Sequence, residues 1–93
     1  MWQIEQHRRV DKRCSVVPQE VLKRYEKWKD IAMISGPRGL RLISGFHDKA
    51  LAGEWRGYRS SRPGLPYRVI YRVLADELIF QVASVKAHDY RRK

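Results

Sequence analysis

A single cysteine, Cys14, stands among 93 residues, so no internal disulfide can form and a metal cluster built on thiolates is excluded. No stretch approaches the roughly 20 apolar residues of a membrane span. Residues 1–20 mix charges throughout and lack the apolar centre of a signal peptide. A basic amphipathic helix with a strongly apolar face is missing too, as is a lipid anchor, so no membrane partner is expected. With Cys14 read as a small hydrophobe on a helix face, these absences point to a reducing, cytoplasmic location. The three histidines (His7, His47 and His88) are scattered, with no H-x-x-x-H pair, paired carboxylates or Gly-rich phosphate loop. Metal and nucleotide-cofactor chemistry therefore find no support, and neither metal nor cofactor is expected. Acidic residues are also few.

Ten Asp and Glu face 20 Lys and Arg, a net charge of +10 with a pI near 10.3. A balance this basic fits a polyanionic partner, nucleic acid before a merely soluble basic surface. Residues 1–93 are too few for a second core, so one domain is expected. A hydrophobic content of 43%, with three Trp and five Tyr, supplies enough burial to fold it.

Trp2-Gln3-Ile4-Glu5 alternates apolar and polar residues and predicts a short strand. Val10, Cys14 and Val17 recur at the spacing of one helix face. Pro18 suits the first turn of a second helix, which carries Val21, Leu22, Tyr25, Trp28 and Ala32 on one side. Ser35-Gly36-Pro37 stops that helix, and residues 36–53 read as loop. Glu54–Arg59 alternates like a strand, and Ser60–Pro66, with two prolines and a glycine, reads as a connection. Tyr67–Leu74 is a strand with aromatic and branched residues on odd positions, and Ala75-Asp76-Glu77 is a polar turn. Leu78–Val85 is apolar on both faces, the mark of a central strand. The prediction is an α+β fold of order β-α-α-β-β-β. Its small, antiparallel-rich sheet has two N-terminal helices on one face, and its first strand is added in parallel.

Arg68 alternates with Tyr67 and Val69, so Arg68 and Arg72 project onto the face that the helices leave open. Arginine's planar fork matches phosphate oxygens, and a cluster of two or three would cradle a scissile phosphate. The competing reading is a solvated face whose arginines pair with Glu54, Asp76 and Asp89, and spacing alone leaves the two even. His88, beyond the last strand, is a candidate acid or base. Tyr90 could donate a hydrogen bond, stack on a base or share proton transfer. Taken alone, a histidine near a C-terminus is more often an exposed bystander.

The run Leu51–Arg62, then Tyr67-Arg68-Val69-Ile70-Tyr71-Arg72-Val73, resembles the second half of RelE/ParE-superfamily toxins. The closing Ala87-His88-Asp89-Tyr90-Arg91 is similar to the His- and Tyr-bearing tail of the YafQ, YoeB and HigB branches. The resemblance implies ribosome-dependent cleavage of mRNA in the decoding site, silenced by a cognate antitoxin protein. By position, Arg68 matches the strand arginine that binds the scissile phosphate. Arg59 and Arg62 fall where members carry Lys, Arg or His, His88 matches a tail histidine, and Tyr90 resembles the C-terminal aromatic. Arg56, Lys86, Arg91 and Arg92 complete the expected RNA contacts. Arg62 departs from the histidine of YafQ-like proteins, and the Pro63–Pro66 loop is not a general feature. Two rival readings are a ParE-like gyrase poison with the same fold and a basic RNA-binding module without chemistry. The His88-x-Tyr90 tail beside Arg68 argues against the gyrase poison.

Overall fold

In the computed structural model, which describes residues 1–64 and 67–87, β1 (Gln3–Gln6) runs directly into α1 (Arg8–Cys14). His7 caps α1, its Nδ1 accepting from the Arg9 backbone N–H at 3.0 Å. Val10 is buried and Cys14 half-buried. α2 (Gln19–Leu42) buries Val21, Tyr25, Trp28 and Ala32, the stripe that the spacing predicts. Gly36 interrupts it with φ 70° and ψ −170°, a left-handed backbone that glycine adopts at least cost. A Cβ at Gly36 would lie 2.7 Å from Trp2 Nε1. The expected stop is thus a kink. Pro37 opens a second helical segment, where its missing N–H has no bond to lose, and that segment delivers Leu40 to the core.

The sheet is ordered β1-β5-β4-β3-β2, built from β2 (Lys49–Ala50), β3 (Arg59–Gly64), β4 (Tyr67–Leu74) and β5 (Ile79–Ala87) beside β1. β1 runs parallel to β5, and the other pairs are antiparallel. This is the expected α+β architecture, with β5 inside the sheet and the short β2 added at its far edge.

The strand expected over Glu54–Arg59 is instead a 3-10 turn at Gly53–Trp55, and β3 occupies the stretch read as a connection. Small residues explain the displacement. Ser60 and Ser61 are buried, Trp28 Nε1 donates to Ser61 Oγ at 2.8 Å, and a Cβ at Gly64 would collide with the Arg24 side chain. Side chains this small let α2 lie close against β3. Pro63 is tolerated because the β3–β4 register shifts between Ser61 and Gly64 and β2 pairs only with Arg59 and Ser60.

Trp28 sits at the centre, stacked on Tyr25 (6.1 Å between centroids) and edge-on to Tyr71 (5.4 Å) and Phe80 (6.2 Å). Val69 and Tyr71 of β4 meet Phe80, Val82 and Val85 of β5 beneath the helices. The β5 residues switch from even to odd because a bulge leaves Ala83 without a partner between Val82↔Tyr71 and Ser84↔Ile70. That switch is why β5 looks apolar on both faces in sequence.

Candidate nucleic-acid interface

With Val69, Tyr71 and Val73 turned toward the helices, alternation places Arg68, Ile70 and Arg72 on the opposite face, where the row Ser60–Ile70–Ser84 is buried and Arg72 is exposed. Cross-strand pairing sets Lys86 beside Arg68 and Ser84 beside Ile70. The expected projection of Arg68 and Arg72 is therefore what the fold produces. Arg68 is half-buried, and its Nε is fully buried with no hydrogen-bond acceptor among the described residues. An unsatisfied buried donor costs about 1–3 kcal/mol, and more when charged. Lys86 alongside adds a second positive charge, an arrangement that would favour an anionic oxygen.

Arg59 goes elsewhere. It pairs with Tyr71 in register and so faces the helix-covered side. There its Nε contacts Asp48 Oδ1 at 2.6 Å, and the Tyr71 hydroxyl donates to Asp48 Oδ2. The Asp48 side chain is 1% exposed. Partial burial works against the Arg59 charge, but the hydrogen bond and attraction to Asp48 prevail and raise its pKa. Burial first, then Asp48, drives the Tyr71 hydroxyl well above the ordinary phenol value. The structure does not bring Arg59 together with Arg68.

Arg62 also turns away from Arg68. It lines a hollow with Glu20, Arg24 and His47 at the start of α2, beside the irregularity at Pro63. Arg56 is exposed after the Gly53–Trp55 turn. His88, Tyr90, Arg91 and Arg92 lie outside the described residues, although β5 leads toward them from Lys86. Arg72 is engaged, its Nε donating to Gln81 Oε1 at 2.8 Å. Sequence reasoning missed Asp48. A lone acidic residue in a Gly- and Lys-bearing loop carries no local cue that it will be buried against residues 11 and 23 positions away. Among the described residues, no helix is long and apolar enough to cross a membrane, and no group of three or more His, Cys, Asp or Glu could hold a metal.

No protein-family model matches the chain, and no curated protein matches it in sequence. Solved structures do match in fold. The archaeal RelE–RelB complex from Pyrococcus horikoshii OT3 superposes with a TM-score of 0.77 at 23% identity, covering 97% of this chain and 98% of that one. YafQ from E. coli BL21(DE3) gives 0.76 at 15% identity, covering 94% and 93%. The heterotetrameric YoeB–YefM toxin–antitoxin complex from Staphylococcus aureus gives 0.72 at 18% identity, covering 96% and 99%. The chain has the RelE-type toxin fold over nearly its full length.

Proposed function

We propose that this chain, on its RelE-type fold, is the toxin of a toxin–antitoxin pair and acts in the cytoplasm as a ribosome-dependent endoribonuclease on mRNA. The observation that carries the reading is Arg68: a half-buried arginine whose Nε has no acceptor among the described residues, on the sheet face opposite the helices, beside Lys86. The resemblance of residues 51–91 to RelE/ParE toxins supplies the reaction class. The RNA's own 2′-oxygen attacks the adjacent phosphorus, its proton passing to a base. The 5′-oxygen leaves with a proton from an acid, giving a 2′,3′-cyclic phosphate and a free 5′-hydroxyl. This chemistry needs no metal. Arg68 stabilises the charge that builds on the phosphorane, with Lys86 supporting it. His88 is the proposed acid or base and Tyr90 the proposed stacking partner, both by resemblance. Arg56, Arg91 and Arg92 bind the strand outside the reacting centre, and Arg62 contacts RNA at the α2 end. Arg59 serves through Asp48 to fix β3 against β4. An antitoxin is expected because neighbours of this fold are seen in complex with RelB and YefM, and the net charge of +10 favours an acidic or amphipathic segment as its inhibitory part.

The test is a purified translation reaction containing the protein, with the RNA ends mapped and their chemistry determined. Breaks inside translated mRNA, carrying 5′-hydroxyl and 2′,3′-cyclic phosphate ends, are the expected result. Intact RNA together with trapped gyrase–DNA breaks would establish the gyrase-poison reading instead.

A further inference from the structure

Beyond Arg68, the same sheet face carries a feature that the proposed phosphate site does not use. Arg72 Nε donates to Gln81 Oε1 at 2.8 Å, and Gln81 Nε2 donates to Glu5 Oε1 at 3.0 Å. A polar row therefore crosses β4, β5 and β1, with a cation at one end and a carboxylate at the other. Tyr58 closes the row from the β3 side. Its ring centroid lies 5.5 Å from the Arg72 guanidinium, and Trp55 holds the ring edge-on at 5.2 Å. Between them is a hollow of about 290 Å³ lined by Tyr58, Arg72, Gln81, Ala83, Glu5 and His7. The hollow owes its room to the β5 bulge, which brings Ala83 to its wall with only a methyl group.

We propose that this hollow is a nucleobase subsite selecting guanine. The proposal rests on the ribonuclease reading for the presence of an RNA strand, but not for the chemistry of the hollow itself. The Tyr58 ring is the kind of surface on which an unstacked base lies, which leaves the Arg72 guanidinium to act through its edge. The volume is at the lower limit of small-molecule pockets and fits one planar base better than a peptide segment. The row then reads the base edge. Guanine places two N–H donors side by side, N1 and the exocyclic N2, next to the O6 acceptor. The Glu5 carboxylate accepts from the donors, and the remaining Arg72 N–H groups donate to O6. Adenine and cytosine would set a ring-nitrogen acceptor against that carboxylate, and uracil, whose N3–H and O4 match N1–H and O6, would set its O2 carbonyl there in place of the N2 donor. Arg68 and Arg72 are four residues apart on one strand, about 13 Å, so the subsite serves a nucleotide near the scissile phosphate and not the phosphate itself.

Titration of the full chain with GMP, AMP, CMP and UMP, followed by amide NMR shifts, tests this without any cleavage assay. GMP should give saturable shifts at Tyr58, Gln81 and Ala83, with affinity about tenfold above the other three, the scale of one good two-point base contact. Glu5→Gln should erase the preference, and Ala83→Leu should fill the hollow and erase the shifts, with thermal melts confirming that both fold. Equal affinity for all four nucleotides, or shifts confined to Arg68 and Lys86, would overturn the proposal. So would protection of these amides by an acidic peptide when GMP does nothing. In the translation reaction, wild-type breaks should carry guanine at one fixed offset, and Glu5→Gln should lose that bias. GMP selectivity without RNA cleavage would sink the ribonuclease reading and leave the subsite standing. Cleavage without base bias or GMP selectivity would do the reverse.

Discussion

Arg68 and Arg59 look alike in sequence and end on opposite faces of the sheet, which alternation and register decide between them. The face taken by Arg68 was legible because Tyr67, Val69, Tyr71 and Val73 mark the buried side of the same strand. The face taken by Arg59 was not, since a one-residue slip in pairing reverses it and Ser60-Ser61 gives no apolar row to fix the register. Arg59→Ala should lower stability by about 2 kcal/mol, the worth of a hydrogen bond to a buried charge, as read by chemical denaturation. The two buried phenols set an alkaline limit as well. Burial raises Tyr25 and Tyr71 above their ordinary value in the folded chain. Once pH exceeds about 10, the unfolded chain releases phenol protons that the folded chain keeps. Stability is therefore full below that pH and falls above it, by at most about 1.4 kcal/mol per pH unit for each group. Melting temperatures across this range should fall less steeply for Tyr25→Phe or Tyr71→Phe than for wild type.

At the scale of elements, long periodic segments were readable and close-packed small ones were not. α2 announces itself through Val21, Tyr25, Trp28 and Ala32, whereas β3 is composed of residues that locally favour turns. Only its burial under Trp28 and Arg24 makes β3 a strand, and that is a tertiary fact. The Gly36-Pro37 pair is ambiguous for a similar reason, because a helix stop and a helix restart use the same two residues. Both places can be probed. Ser61→Ala leaves the Trp28 N–H without an acceptor and should cost about 1–3 kcal/mol. Gly36→Ala forces a side chain into a backbone region essentially reserved for glycine, against Trp2, which should cost about 1–3 kcal/mol from the backbone alone. Denaturant midpoints of the two variants check both values.

For the whole molecule, a charge of +10 spread over 93 residues would make the proposed encounter with RNA electrostatic before it is specific. If about five phosphates are contacted, log K should fall against log salt with a slope of about −3.5. A slope near zero in a filter-binding titration would remove the role assigned to net charge. Binding alone does not separate a nuclease from a basic RNA-binding module, and Arg68 does. In the proposed reaction its contact would strengthen as charge develops on the phosphorane, so Arg68→Ala should slow single-turnover cleavage on mRNA-programmed ribosomes by about 10²–10³-fold. Arg68→Lys should recover only part of the loss, since lysine brings charge without the fork. Thermal melts run alongside should show both variants folded. A folded Arg68→Ala protein that cleaves at the wild-type rate would contradict the assignment of the sheet face around Arg68 as the reacting centre.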